Sequence, residues 1–225
     1  MCKWKVNRVI RYNSCMKIII TSIFLTLSLF AEYQSSISKI TPQIKKRMIQ
    51  GNSWRKGCPV GLNDLRYLRM THIDFRGKDV VGEIIVHKDV SVEVTKIFKS
   101  LYTIGYPVKK MRLVSDYKGN DWQSIEADNT SAFNCRNATG SKKWSKHSYG
   151  KAIDINPIEN PYIARSGRIS HKASLKYRKR VHKNSTSADK AVLLKKDKAT
   201  KIFKKYGWKW GGDWSSVKDY QHFSK

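Results

Sequence analysis

Acidic residues are scarce in this chain. Its 225 residues hold 17 Asp and Glu against 45 Lys and Arg, a formal net charge of +28, and a balance that positive implies polyanionic company. Nucleic acid is one candidate partner; a cell wall bearing free carboxylates and phosphate polymers is the other. Long apolar runs are missing as well. The best of them, Ile18 to Phe30, is interrupted by Thr and Ser and falls short of the ~20 residues a membrane helix needs. Lys3, Lys5, Arg8, Arg11 and Lys17 precede it and Ala31 ends it, the layout of a secretory signal. Met16 stands where a shorter leader would start, and the weak Ala-x-Ala character around Ala31 leaves an uncleaved anchor as the rival reading. Without residues 1–31, five basic and no acidic groups fewer, the remainder carries about +23. An exported chain favours the wall over nucleic acid. Cysteine is sparse too: of four, only Cys58 and Cys135 lie beyond the leader. Their spacing excludes a zinc ribbon, and in an exported protein a single bridge between them is open.

What the chain does have is one polar constellation set in apolar surroundings. Ser145 to Pro157 reads Ser-Lys-His-Ser-Tyr-Gly-Lys-Ala-Ile-Asp-Ile-Asn-Pro. Ala152, Ile153 and Ile155 make a short buried-strand pattern that Pro157 ends. Gly150 permits a turn, so His147 and Asp154 can face one spot. Asp154 lies between two isoleucines, where a carboxylate must find a cation or several donors. A metal held by His147, Asp154 and a third ligand meets that need, whereas a hydrogen-bonded His–Asp pair is the plainer alternative. Far downstream, Tyr206 to Trp214 packs three tryptophans and three glycines into nine residues, and Asp219 and His222 follow. On a regular strand those two would face opposite sides, so service to one site requires a turn or bulge between them.

The pattern Ser-x-His-x-x-Gly-x-Ala-x-Asp, followed by Trp-x-Trp-Gly-Gly-Asp-Trp and Asp-x-x-His-Phe, resembles the M15 zinc peptidases. These include D-alanyl-D-alanine carboxypeptidases and L-alanyl-D-glutamate endopeptidases of bacterial peptidoglycan. The likeness runs from about Val81 to Phe223. It implies zinc ligands at His147, Asp154 and His222, a general base at Asp219 and a substrate-facing arginine at Arg136. Ser145 either orients substrate or bonds within its turn. The implied fold is α+β, of the hedgehog and DD-peptidase type: a small antiparallel sheet carrying the Zn2+ ligands, with helices packed against it. The implied substrates are peptidoglycan stem peptides, with anionic cell-wall polymers as a further partner and no nucleic acid.

The organisation read from the chain is a leader (1–31), a linker or N-terminal extension (32–61) and a peptidase domain (62–225). Within the last, Leu62 to Phe75 reads as extended chain and Val80 to Val86 as a strand. A helix follows, capped by Asp89 or Ser91 and ended by Gly105, with Val90, Val94, Ile97, Phe98 and Leu101 at helical spacing. Met111 to Ser115 reads as a strand, and Ser187 as the cap of one helix through Phe203. Glu159 to Asn184 is rich in Lys, Arg and Ser and reads as a flap or a polyanion-binding patch; its His171 and His182 have no partner at ligand spacing and read as solvated, and His72 upstream reads as an exposed or packed histidine. Two rivals stand beside the exported peptidase: a basic nucleic-acid-binding protein or nuclease, and a wall-binding module without catalysis. The first leaves the leader and the paired motifs unexplained; the second, the intact ligand set.

Overall fold

The computed structural model describes residue 1, residues 32–181 and residues 185–225. The stretch expected to be a leader and His182 lie outside the described residues. Contacts group residues from Ala31 to Lys225 into one unit.

Residues 32–61, read as a linker or N-terminal extension, form strand β1 (Ser35–Lys39) and helix α1 (Pro42–Gln50). Thr41 caps α1 by accepting from Ile44 N, with Pro42 at the first helical position, where its missing N–H costs nothing. Arg47 fastens α1 to the body, reaching Glu83 at 2.5 Å and Asp116 at 2.6 Å, while Met48 is wholly buried. Cys58 is joined to Cys135 across a sequence separation of 77 residues. Closing a loop of that length constrains the unfolded chain by about 4 kcal/mol.

Strands β2 (Leu65–Ile73) and β3 (Asp79–His87) pair antiparallel, with β1 on the outer edge of β2. Helix α2 (Lys88–Thr103) follows β3 directly and packs Val90, Val94, Ile97, Phe98 and Leu101 into the main core. Its cap is neither Asp89 nor Ser91: the His87 imidazole accepts from Asp89 N. The strand expected over 111–115 is a single bridge, Met111 with Thr130, followed by a 3-10 turn at Val114–Tyr117. Helix α3 (Asp121–Glu126) comes next.

The second half is built from short pieces: β4 (Ala152–Asp154), β5 (Tyr162–Ile163), α4 (Ser187–Lys190), α5 (Lys198–Lys205), β6 (Lys209–Trp210), β7 (Lys218–Asp219) and β8 (His222–Ser224). The helix expected from Ser187 through Phe203 is therefore two, because the Asp197 carboxylate accepts from Leu194 N and from Thr200 N, both at 2.6 Å, and starts α5 afresh. Strand β8 lies between β4 and β6, and β5 pairs with β7. Ile153, Trp210 and Phe223 turn one face of this small sheet into the core, where Phe223 stacks on Phe203 at 3.9 Å. Alternation then sends Asp154 and His222 to the other face. The result is a mixed α/β protein with small antiparallel sheets, one of which carries two of the expected ligands. Among the described residues no helix is long and apolar enough to cross a membrane.

Candidate functional site

Asp154 and His222 are direct cross-strand partners in the β4–β8 register, so their side chains rise together from one face. His147 reaches the same point from a 3-10 turn, Lys146–Tyr149, that precedes β4. Ser145 caps this turn and accepts from His147 N, so the turn role of Ser145 is realised. Gly150 closes it in the left-handed region at φ 65°. A side chain there would meet His87 N at 2.5 Å and Val86 C at 3.0 Å. The turn is thus wedged against the end of β3, and only glycine allows it.

The three side chains converge. His147 Nε2 lies 3.2 Å from Asp154 Oδ2 and 3.3 Å from His222 Nδ1, and His222 Nδ1 lies 3.0 Å from Asp154 Oδ1. All three candidate ligand atoms fall within 4.8 Å of one another, as a shared metal ion requires. The Ala132 carbonyl lies 2.6 Å from His147 Nδ1, which fixes the ring so that Nε2 faces inward. Burial alone would raise the Asp154 carboxyl, but the charges and hydrogen bonds of His147 and His222 hold it well below the usual range. Burial pulls His147 down, yet Asp154 outweighs it and raises the imidazole. Two nitrogens and a carboxylate oxygen drawn this close make a donor set that a divalent cation could share.

Asp219 ends β7, a turn at Tyr220 and Gln221 follows, and β8 begins at His222. That is the break between 219 and 222 that shared service to one site demands. Gly211 makes room for it: a Cβ there would lie 2.4 Å from Asp219 O and 2.9 Å from Asp219 Cβ. Burial first, then the nearby Asp154 charge, push the Asp219 carboxyl up to about 6. Its Oδ1 is buried with no hydrogen-bond partner among the described residues.

All six expected residues, Arg136, Ser145, His147, Asp154, Asp219 and His222, line one cleft of about 660 Å³. Arg136 pairs with Asp121, whose other oxygen accepts from Asn134 Nδ2 at 2.8 Å. The backbone of this stretch is held on both sides. Cys135 N donates to Ser53 O, and the buried Ser148 hydroxyl accepts from Arg136 N at 2.8 Å. The histidines outside the triad separate: His72 is packed and buried, whereas His171 is not solvated. It stacks on Trp122 at 3.9 Å and lines the cleft. The segment expected as a flap is tied down by Arg180, which donates to Glu159 O, Tyr177 O, Leu193 O and Asn160 Oδ1 and lies 4.3 Å over the Tyr220 ring.

Sequence reasoning missed Asp121, Trp122 and Ser148. Asp121 and Trp122 carry no local signal, since they reach the cleft only after α3 folds back beside Arg136. Ser148 stood inside the motif, beside a candidate ligand and a turn, but its total burial is visible only in the structure.

Residues 139–225 match a family model of the M15 peptidases described as D-alanyl-D-alanine carboxypeptidase. The match covers His147, Asp154, Asp219 and His222. It begins well after Val81, where the likeness was expected to start, and leaves Arg136 outside. No curated protein and no solved structure matches the chain.

Proposed function

We propose, for a chain that its residues 139–225 identify as an M15-family peptidase, that it is a zinc-dependent enzyme cutting stem peptides of bacterial peptidoglycan, of the D-alanyl-D-alanine carboxypeptidase type. The observation that carries this is the convergence of His147, Asp154 and His222 in the cleft that Asp219 also lines. The facing atoms of the three residues would hold the ion. A bound Zn2+ supplies Lewis acidity and lowers the pKa of water to near ~7.

The chain's own groups account for the rest. Asp219 presents an unpartnered carboxylate oxygen whose affinity for a proton lies close to working pH, which suits a general base. It takes a proton from the attacking water as the water oxygen bonds to the scissile carbonyl carbon. It then delivers that proton to the leaving nitrogen as the C–N bond breaks. Arg136, oriented by Asp121, offers its guanidinium to the developing oxyanion or to a substrate carboxylate. Ser145 acts through the turn that fixes His147.

The L-alanyl-D-glutamate endopeptidase is the second reading, favoured by the cleft continuing past the triad along Trp122, Ile169 and His171. The leader supports action outside the cytoplasm, and the surplus of Lys and Arg supports contact with anionic wall polymers. Digestion of purified peptidoglycan by the zinc-loaded protein, with products identified by mass, tests the proposal. Loss of one C-terminal residue marks the carboxypeptidase, and a cut within the stem marks the endopeptidase. No new amine from any wall fragment overturns both.

A further inference from the structure

A second wall of the cleft has no part in the chemistry above. Helix α3 presents Trp122 and Glu126 four residues apart, hence on one face. Trp122 is 51 % exposed although it lines the cleft, while Trp208 and Trp210 are 1 % and 3 % exposed. One side of its ring is covered by His171, stacked at 3.9 Å and 30°. The His171 side chain is only 11 % exposed; its Nδ1 lies 3.4 Å from Glu126 Oε2 but makes no hydrogen bond among the described residues. The indole is therefore backed on one face by a largely buried ring.

The polar groups around it are acceptors. The Glu126 side chain is 59 % exposed, and its second oxygen has no partner among the described residues. Ser174, 1 % exposed and lining the same wall, has a buried hydroxyl oxygen without a hydrogen-bond partner among the described residues. Ile125 and Ile169 supply apolar surface beside them. A π face, a carboxylate and a hydroxyl beside an aliphatic strip complement a primary ammonium on an alkyl stem. A neutral sugar would use the ring and the hydroxyl but leave Glu126 without a counterpart. The net charge of +28 repels cations at long range, so the attraction has to come from these local groups.

We propose that Trp122, His171, Glu126 and Ser174 form a subsite for an amino-bearing side chain of the peptide substrate, some residues removed from the cleaved bond. The inference rests on the peptidase reading and adds to it a residue preference. The test uses the full chain, zinc-loaded, with synthetic peptides that share one scissile end. Each carries lysine, Nε-acetyl-lysine or norleucine at one of the interior positions, scanned in turn. At one position lysine is preferred over both neutral analogues in kcat/KM by about fivefold, carried in KM. Glu126→Gln lowers that ratio to about twofold, and Trp122→Ala brings it close to one, with Trp122→Phe between. Equal cleavage of all three peptides at every position overturns the subsite, as does a Trp122→Ala variant that slows all three by the same factor. Cleavage of no peptide at all overturns the peptidase reading instead.

Discussion

Replacing Gly150 with alanine should cost this protein far more than the loss of one hydrogen atom suggests. The residue has φ 65°, and a Cβ would lie 2.5 Å from His87 N and 3.0 Å from Val86 C. Both atoms are backbone, and both belong to a strand paired along its whole length. The left-handed conformation itself costs an alanine roughly 1 kcal/mol or slightly more. Forcing a methyl group against a strand end that cannot yield adds about 1 to 3 kcal/mol, and the His87 N to Gly150 O hydrogen bond of 2.9 Å about 1 more. The expected destabilisation is about 3 to 5 kcal/mol. Gly105 supplies the control. It has φ 70° with nothing within 4 Å of an added Cβ, so Gly105→Ala should cost only the conformational part, about 1 kcal/mol. Urea unfolding of the two variants beside the parent protein measures the difference, and zinc titration of the folded Gly150→Ala variant measures whether His147 has moved. Binding should weaken about tenfold or more, as for other disturbances around a ligand. If the two variants unfold within about 0.5 kcal/mol of each other and Gly150→Ala keeps full zinc affinity, the wedge argument is wrong.

Two further outcomes follow from the carboxyl groups. Asp219→Asn should retain bound metal while kcat falls by roughly 10² to 10⁴; because the base must be ionised, kcat/KM of the parent enzyme should decline as pH falls through about 6, and an Asn variant within tenfold of the parent refutes the assignment. Glu159 is buried beside Asp128 and accepts from the Tyr177 hydroxyl at 3.2 Å; burial first, then Asp128, push it up to about 9. The folded state therefore keeps a proton that the unfolded chain releases near 4.5, and the parent protein loses stability as pH rises between those values. Glu159→Gln removes the loss, so its urea midpoint should gain on the parent's from pH 5 to pH 9; a difference that does not change with pH refutes the buried-proton account.

The site was more legible than the framework around it. His147, Asp154, Asp219 and His222 could be named because two separated motifs fix their order, and because a carboxylate between isoleucines demands a partner. Helix α2 was readable because its buried face keeps helical period, and strand β3 because its β-branched stretch is buried without a break from Gly82 to Val86. Strand β1 was not: all five of its residues are exposed, so Ser-Ser-Ile-Ser-Lys carries no inward face to mark it. Met111 to Ser115 misled in the opposite way. Its apolar residues are buried, but Met111 and Leu113 enter different clusters and only one bridge is made. The break between α4 and α5 depends on a carboxylate competing for backbone N–H groups, a local choice that the apolar spacing across it conceals. The Asp121–Arg136 pair and the Trp122–His171 stack join distant stretches and leave no periodic trace.

The opposed positions of Asp154 and His222 have a bearing on how the chain finds its final form. Sliding β4 against β8 by one residue would set Asp154 opposite Phe223 or Gln221 and bring Ile153 or Ile155 across from His222, with every side chain sent to the wrong face. No cation could be gripped in either arrangement. An ion bound there would therefore reward only the correctly aligned ladder, and would proofread the pairing of two three-residue strands too short to select their own alignment.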